Sequence, residues 1–177
     1  MVSDQAKASF DFLVEQAIRN NMLGDDKDAC SIERVEDPAQ IKNRQMVILT
    51  ISSYAFRVML FVHFTRDKAT RAHFAAMKQQ AEMDDAAFLD AVMESGNLAC
   101  GALNRELGNF FPHLGMSTPG VLDHGSLEYV HALGAGHVRH WRVNATAGAV
   151  FHLSAGRVRR HAHRFPRGPD AGRRHLG

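Results

Sequence analysis

Cysteine is nearly absent from this chain: Cys30 and Cys100 are the two in 177 residues, far apart and with no CxxC or Cys/His spacing. That excludes a disulfide framework and gives no structural zinc pattern, leaving two thiols for the interior. Long apolar runs are missing too. No stretch approaches the roughly 18 apolar residues of a membrane span, and the opening MVSDQAKASF lacks the basic-then-apolar order of a signal peptide, so a cytoplasmic protein is expected. There is no internal repeat, no glycine-rich phosphate loop and no GxSxG, so Ser117 and Ser126 lack the surroundings of an activated nucleophile. What is present is 45% apolar residues in a length that suits one domain with a substantial core.

Acid and base are unevenly spread. The formal net charge is +2, yet residues 155–177 carry seven arginines against Asp170 alone. Removing that segment's +6 leaves −4 for residues 1–154, which offers no electrostatic case for nucleic acid binding. Sixteen of the last 23 residues are Arg, His, Gly or Pro, the composition of a disordered basic tail. The change after Ser154 interrupts a strand-like pattern, so the domain is expected over 1–154 with a tail over 155–177. An out-of-frame end of a GC-rich gene is one origin for such a break.

Along the chain, apolar residues from Ser3 to Leu23 recur at helical intervals and Gly24 follows where a C-terminal cap belongs. Residues 25–43 read as a loop with one short strand. QMVILTISS and YAFRVMLFVHFT, divided at Ser52/Ser53, read as an antiparallel hairpin. A helix follows over 67–82, then a second from about Ala86 to Leu107 with Asp84/Asp85 at its start. GNFFPHLGMSTPG reads as a turn region, and SLEYVHAL, HVRHWRVN and AGAVFHLS as three short strands, with Trp141 in the core. Helix, strands, helices, strands in that order predict an α+β fold, a mostly antiparallel sheet packed against long helices.

Eleven histidines raise the question of a metal, but His137 and His140, three apart in a strand, point to opposite faces and do not converge on one ion. The second long helix is more informative. At 100° per residue, Leu89, Met93, Gly96, Cys100, Leu103 and Leu107 form a stripe that reads as the core face. Asp90, Glu94, Asn97, Gly101 and Asn104 form another stripe, roughly 100° around. The plain alternatives are a solvated face, with Glu94 a surface carboxylate that is solvated or paired with the next helix, and Asn97 a buried amide bonded to a neighbouring strand. Against them, a helix-interior glycine costs about 1 kcal/mol relative to alanine. Gly96 would permit close packing, and Gly101 would clear space beside Glu94 and Asn97, as on a docking surface.

DAVMESGN, from Asp90 to Asn97, followed by STPGVL, from Ser117 to Leu122, resembles the signature of the CheC/CheX/FliY response-regulator phosphatases. In that pattern Asp or Ser precedes Glu, Glu precedes Asn, and a proline comes later; here 21 residues lie between Asn97 and Pro119. ESGNLACGALNREL looks like the CheX form, and NMLG, residues 21–24, is a weaker echo. A second ExxN, Glu106 and Asn109, has Ala102 where Asp or Ser is required, so one copy carries the signature, which favours CheX over CheC.

The resemblance implies a CheC/CheX-like fold and hydrolysis of the aspartyl phosphate of a CheY-like receiver domain in chemotaxis or two-component signalling. It implies no cofactor of the chain's own, since Mg²⁺ is expected in the partner receiver. It gives Asn97 the attacking water to orient and Glu94 the receiver's lysine to pair with, while Asp90, Gly101 and Asn104 extend the docking face and Pro119 shapes a turn. A carboxamide suits the first task because its oxygen accepts from water while its N–H groups donate to a phosphoryl oxygen, adding no negative charge. A homodimer is implied on the same ground. The alternative of another class is a non-catalytic module that binds a receiver or another signalling or flagellar partner.

Overall fold

The computed structural model describes residues 3–123 and 135–159. Three helices pack on one face of a sheet. Helix α1 (Asp4–Asn21) begins where Ser3 accepts the Ala6 N–H at 3.2 Å, satisfying a donor the helix leaves open. It ends before Gly24, whose φ of +71° is the left-handed geometry that glycine adopts without penalty. Asp67 and Asp84 cap α2 (Lys68–Met77) and α3 (Asp85–Gly108) in the same way, accepting from Thr70 and Ala87. All three starts thus use a short side chain with an oxygen acceptor just ahead of an apolar-periodic run.

The strands are β1 (Ser31–Val35), β2 (Gln45–Ser52), β3 (Phe56–Phe64), β4 (Gly115–Met116), β5 (Gly120–Asp123), β6 (His137–Asn144) and β7 (Val150–Arg159). Among the described residues they form one antiparallel sheet in the order β1-β6-β7-β3-β2, with β4 and β5 both on the outer edge of β2. The expected hairpin is β2/β3, in register from Gln45 opposite Phe64 to Ser52 opposite Arg57. With the helices on one face, this is the α+β arrangement the element order predicted.

Alternation along the strands sorts two environments. Val47, Leu49, Ile51, Val58, Leu60, Val62, Trp141, Val143, Phe151 and Leu153 meet Val14, Ile18, Phe74, Phe88, Val92 and Leu103 of the helices in the main core. Trp141 is fully buried there, its indole N–H donating to Glu15 of α1 at 3.0 Å. Met46, Met59 and Phe61 form a smaller cluster on the other face. His137 reaches α1, bonding Asp11 at 2.8 Å, whereas His140 bonds Ser154 at 2.7 Å on the far face, so the two point apart as strand geometry requires.

Three sequence expectations are corrected. The turn region GNFFPHLGMSTPG contains β4 and leads into β5, both paired to β2. The pattern also does not break at Ser154: β7 runs on to Arg159, with Ala155 opposite Leu60 and Arg139, and Gly156 opposite Met59 and Val138. Small residues there leave no apolar alternation to read, although Ala155 is fully buried. The helix expected over 67–82 closes at Met77, because Gln79 turns left-handed with φ 55°. The strand expected over SLEYVHAL, with Ser126 and His131, lies outside the described residues, as do residues 160–177 of the tail.

Candidate functional site

Helix α3 carries the signature. Its buried residues are Phe88, Ala91, Val92, Ser95, Gly96, Ala99, Cys100, Leu103 and Leu107. Leu89 and Met93, expected in the core stripe, are only half-buried. At 100° per residue the core face therefore lies about 60° from the expected one, and the stripe from Asp90 to Asn104 is close to its opposite side. The difference comes from Ala91, Ser95 and Ala99, all of them buried. Ser95 hides its polarity by donating its hydroxyl to the Ala91 carbonyl at 2.8 Å, which makes a buried serine compatible with the core.

This rotation turns Asp90, Glu94, Asn97 and Gly101 outward as one ridge. Asp90 and Glu94 are exposed; Asn97, Gly101 and Asn104 are half-buried. The two glycines differ as the sequence suggested. A Cβ on Gly96 would lie 3.2 Å from Leu49 Cδ1 and 3.4 Å from Val62 Cγ2, so glycine lets α3 sit close on β2 and β3. A Cβ on Gly101 would meet nothing within 4 Å, so the space beside Asn97 is open. Leu98, exposed next to Asn97, is an apolar surface residue that the signature does not mark.

Glu94 is not without a partner in the chain. Its carboxylate pairs with the ammonium of Lys78, the residue that closes α2. That is the adjacent-helix pairing weighed as an alternative from sequence. Asn97 lies one turn further on the same rigid element, so the two side chains share an origin and direction. Asn104 has a buried Oδ1 with no hydrogen-bond partner. Cys100 is a closed thiol, pushed up by burial to about 12 and hence protonated at neutral pH. Arg71 of α2 holds the start of α3: it pairs with Asp85, keeping that carboxyl below the usual range, and lies 5.0 Å above the Phe88 ring.

Pro119 occupies a β-bulge. Ile51 lies opposite Met116 while Ile48 lies opposite Gly120, so three residues, Ser117 to Pro119, face two on β2. Ser117 holds the bulge, its hydroxyl accepting from Thr50 N–H and its own N–H donating to the Thr50 carbonyl, each at 2.9 Å. Proline is tolerated there because the outer edge of β2 needs no further N–H from it. Ser117 is thus a structural residue. In the second ExxN, Asn109 is already the C-cap of α3, so that copy straddles the helix end.

A cavity of about 570 Å³ opens elsewhere, between the start of α1 and the end of α3, lined among others by Phe10, Leu13, Phe56, Leu107 and Phe110. Glu94 and Asn97 do not line it. Among the described residues, no three His, Cys, Asp or Glu side chains are placed to hold a metal ion. No helix among them is long and apolar enough to cross a membrane.

No protein-family model matches the sequence, and no curated protein matches it. Solved structures do match the fold. A chain of the CheX–CheY–BeF₃–Mg²⁺ complex from Borrelia burgdorferi aligns with a TM-score of 0.60 at 13% identity, over 89% of this chain and 99% of that one. Chemotaxis protein CheX from Vibrio vulnificus aligns at 0.59 and 12% identity, over 84% and 99%. A chemotactic CheC-like protein from Shewanella oneidensis aligns at 0.58 and 14%, over 84% and 94%. The chain has the fold of CheX and CheC-like chemotaxis proteins, the fold that its signature resembles.

Proposed function

We propose that this chain is a phosphatase of the CheX type, hydrolysing the aspartyl phosphate of a CheY-like receiver domain. The observation that carries the reading is the placement of Glu94 and Asn97, one turn apart on the outward ridge of α3, beside the open space above Gly101. A convex ridge suits a substrate that brings its own reactive centre. The receiver supplies the acyl phosphate and the Mg²⁺, and the phosphatase has only to insert two side chains from a rigid element.

In that complex the Asn97 carbonyl oxygen accepts from the attacking water and holds it in line with phosphorus, while its N–H groups donate to a phosphoryl oxygen. Glu94 takes the receiver's lysine and fixes the register. Water attacks phosphorus, the bond from phosphorus to the receiver's aspartate oxygen breaks, and inorganic phosphate and a free aspartate result. Asp90, Gly101 and Asn104 border the contact. Pro119 acts through the bulge that joins β4 to β5. A homodimer and a cytoplasmic location complete the reading, as the resemblance and the sequence imply.

The test is to mix the protein with phosphorylated CheY-type receivers and Mg²⁺ and follow phosphate loss. Acceleration that Glu94→Ala weakens mainly through KM supports the reading. Binding to receivers without acceleration would instead assign a non-catalytic receiver-binding module.

A further inference from the structure

The pair between Lys78 and Glu94 joins two helices at the point where, on the reading above, the receiver's lysine must bind. The inference drawn here rests on that reading. Lys78 is not a loosely placed surface residue. It is the C-cap of α2, whose end is a left-handed motif: Gln79 N–H donates to the Ala76 carbonyl and Gln80 N–H to the Ala75 carbonyl, both at 2.9 Å, around Gln79 with φ 55°. These bonds fix the backbone from which the side chain leaves. They also put the ammonium at the negative end of the α2 dipole, where a cation is favoured. Arg71, paired with Asp85 and lying over Phe88, holds α2 against α3 so that the reach from Lys78 to Glu94 is set by packing.

We infer that Lys78 is an internal stand-in for the receiver's lysine: it occupies Glu94 in the free chain and is displaced when the receiver docks. Both competitors are primary ammonium groups on four-carbon stems, so docking exchanges one ion pair for an equivalent one. The exchange is feasible because the pair is partly solvated, Glu94 being 56% and Lys78 29% exposed, and such pairs are held weakly. Two consequences follow. Receivers that present no lysine at that point fail to dislodge Lys78, so the pair selects among partners. It also keeps the carboxylate neutralised, so that Glu94 does not repel the anionic phosphoryl group and acidic residues of an approaching receiver.

The experiment compares wild type, Lys78→Gln and Lys78→Arg on one phosphorylated CheY receiver with Mg²⁺, reading KM and kcat separately. The inference expects Lys78→Gln to lower KM about two- to five-fold with kcat unchanged, the size of a weak surface pair released. Lys78→Arg retains the pair and the wild-type KM. In a Glu94→Gln background the Lys78→Gln change has no further effect. An unchanged or raised KM in Lys78→Gln overturns the inference, a raised KM showing that Lys78 instead aims Glu94 at the receiver. If Glu94→Ala and Asn97→Ala both leave phosphate loss untouched, the functional reading fails and the inference with it; normal effects of those two beside an inert Lys78→Gln sink the inference alone. Unchanged melting of Lys78→Gln confirms that α2 still caps.

Discussion

Asp11, buried on the inner side of α1, lies 2.8 Å from Nε2 of His137 on β6, and its other carboxylate oxygen lies 3.3 Å from Nε of Arg139 and 3.6 Å from an Arg34 guanidinium nitrogen. One carboxylate therefore ties α1 to β6 and β1. Asp11→Ala leaves the His137 nitrogen buried without a partner, at a cost of about 1–3 kcal/mol. Chemical denaturation should show that loss, with Asp11→Asn closer to wild type because its amide oxygen can still accept. A wild-type midpoint for Asp11→Ala would contradict the assignment.

His73 gives the fold a pH dependence of definite sign. Its Nε2 donates to the Met22 carbonyl at 2.8 Å, so Nδ1 of the neutral ring accepts from Thr146 at 3.0 Å. Burial pushes the imidazole below its ordinary value, against the smaller opposing effect of the Met22 bond. Between that depressed value and the unfolded one, near 6.5, the unfolded chain takes up a proton that the folded chain does not, so stability rises with pH. The contribution is complete above about 6.5 and is lost as pH falls through the folded value. His152, lowered by burial and by Arg142 and His140, acts in the same direction. Denaturation midpoints should fall on acidification, and His73→Gln should make that fall shallower.

The two α3 glycines should respond oppositely. Gly101→Ala, with open space around it, gains about 0.5–1 kcal/mol of stability from reduced backbone entropy. If the space serves docking, the same variant dephosphorylates receivers more slowly despite being more stable. Gly96→Val meets Leu49 and Val62 and should lose about 1–3 kcal/mol from overpacking. Melting curves and receiver assays on both variants check this together.

Continuation of β7 past Ser154 predicts that a chain ending at Arg159 is more stable than one ending at Ser154. The shorter chain strips Phe56 to Leu60 of their partners on β7 and exposes a strand edge. Equal denaturation midpoints would contradict the pairing.

Legibility from sequence followed the strength of local signals. Asp84 and Asp85 are legible as the start of α3 because acidic residues at a helix N-terminus are a local signal, and the β2/β3 hairpin is legible from its alternation. The rotation of α3 was misjudged because Ser95 and Ala99 carry no apolar signal although both are buried. β4 and β5 were missed because a bulge at Ser117 to Pro119 interrupts a short edge segment. Strand order depends on residues far apart in the chain, which no window of sequence brings together, whereas pairing of Glu94 with a neighbouring helix is open from sequence and only its partner, Lys78, needs the structure. The signature is legible as a resemblance carried by Asp90, Glu94, Asn97 and Pro119 together, since ExxN alone occurs twice in the chain.

The central claim is tested most directly by the rate of phosphate loss from a phosphorylated CheY receiver with Asn97→Ala in place of the wild-type chain. The account predicts that acceleration disappears while binding to the BeF₃-activated receiver persists. Acceleration that survives both Asn97→Ala and Glu94→Ala would contradict it.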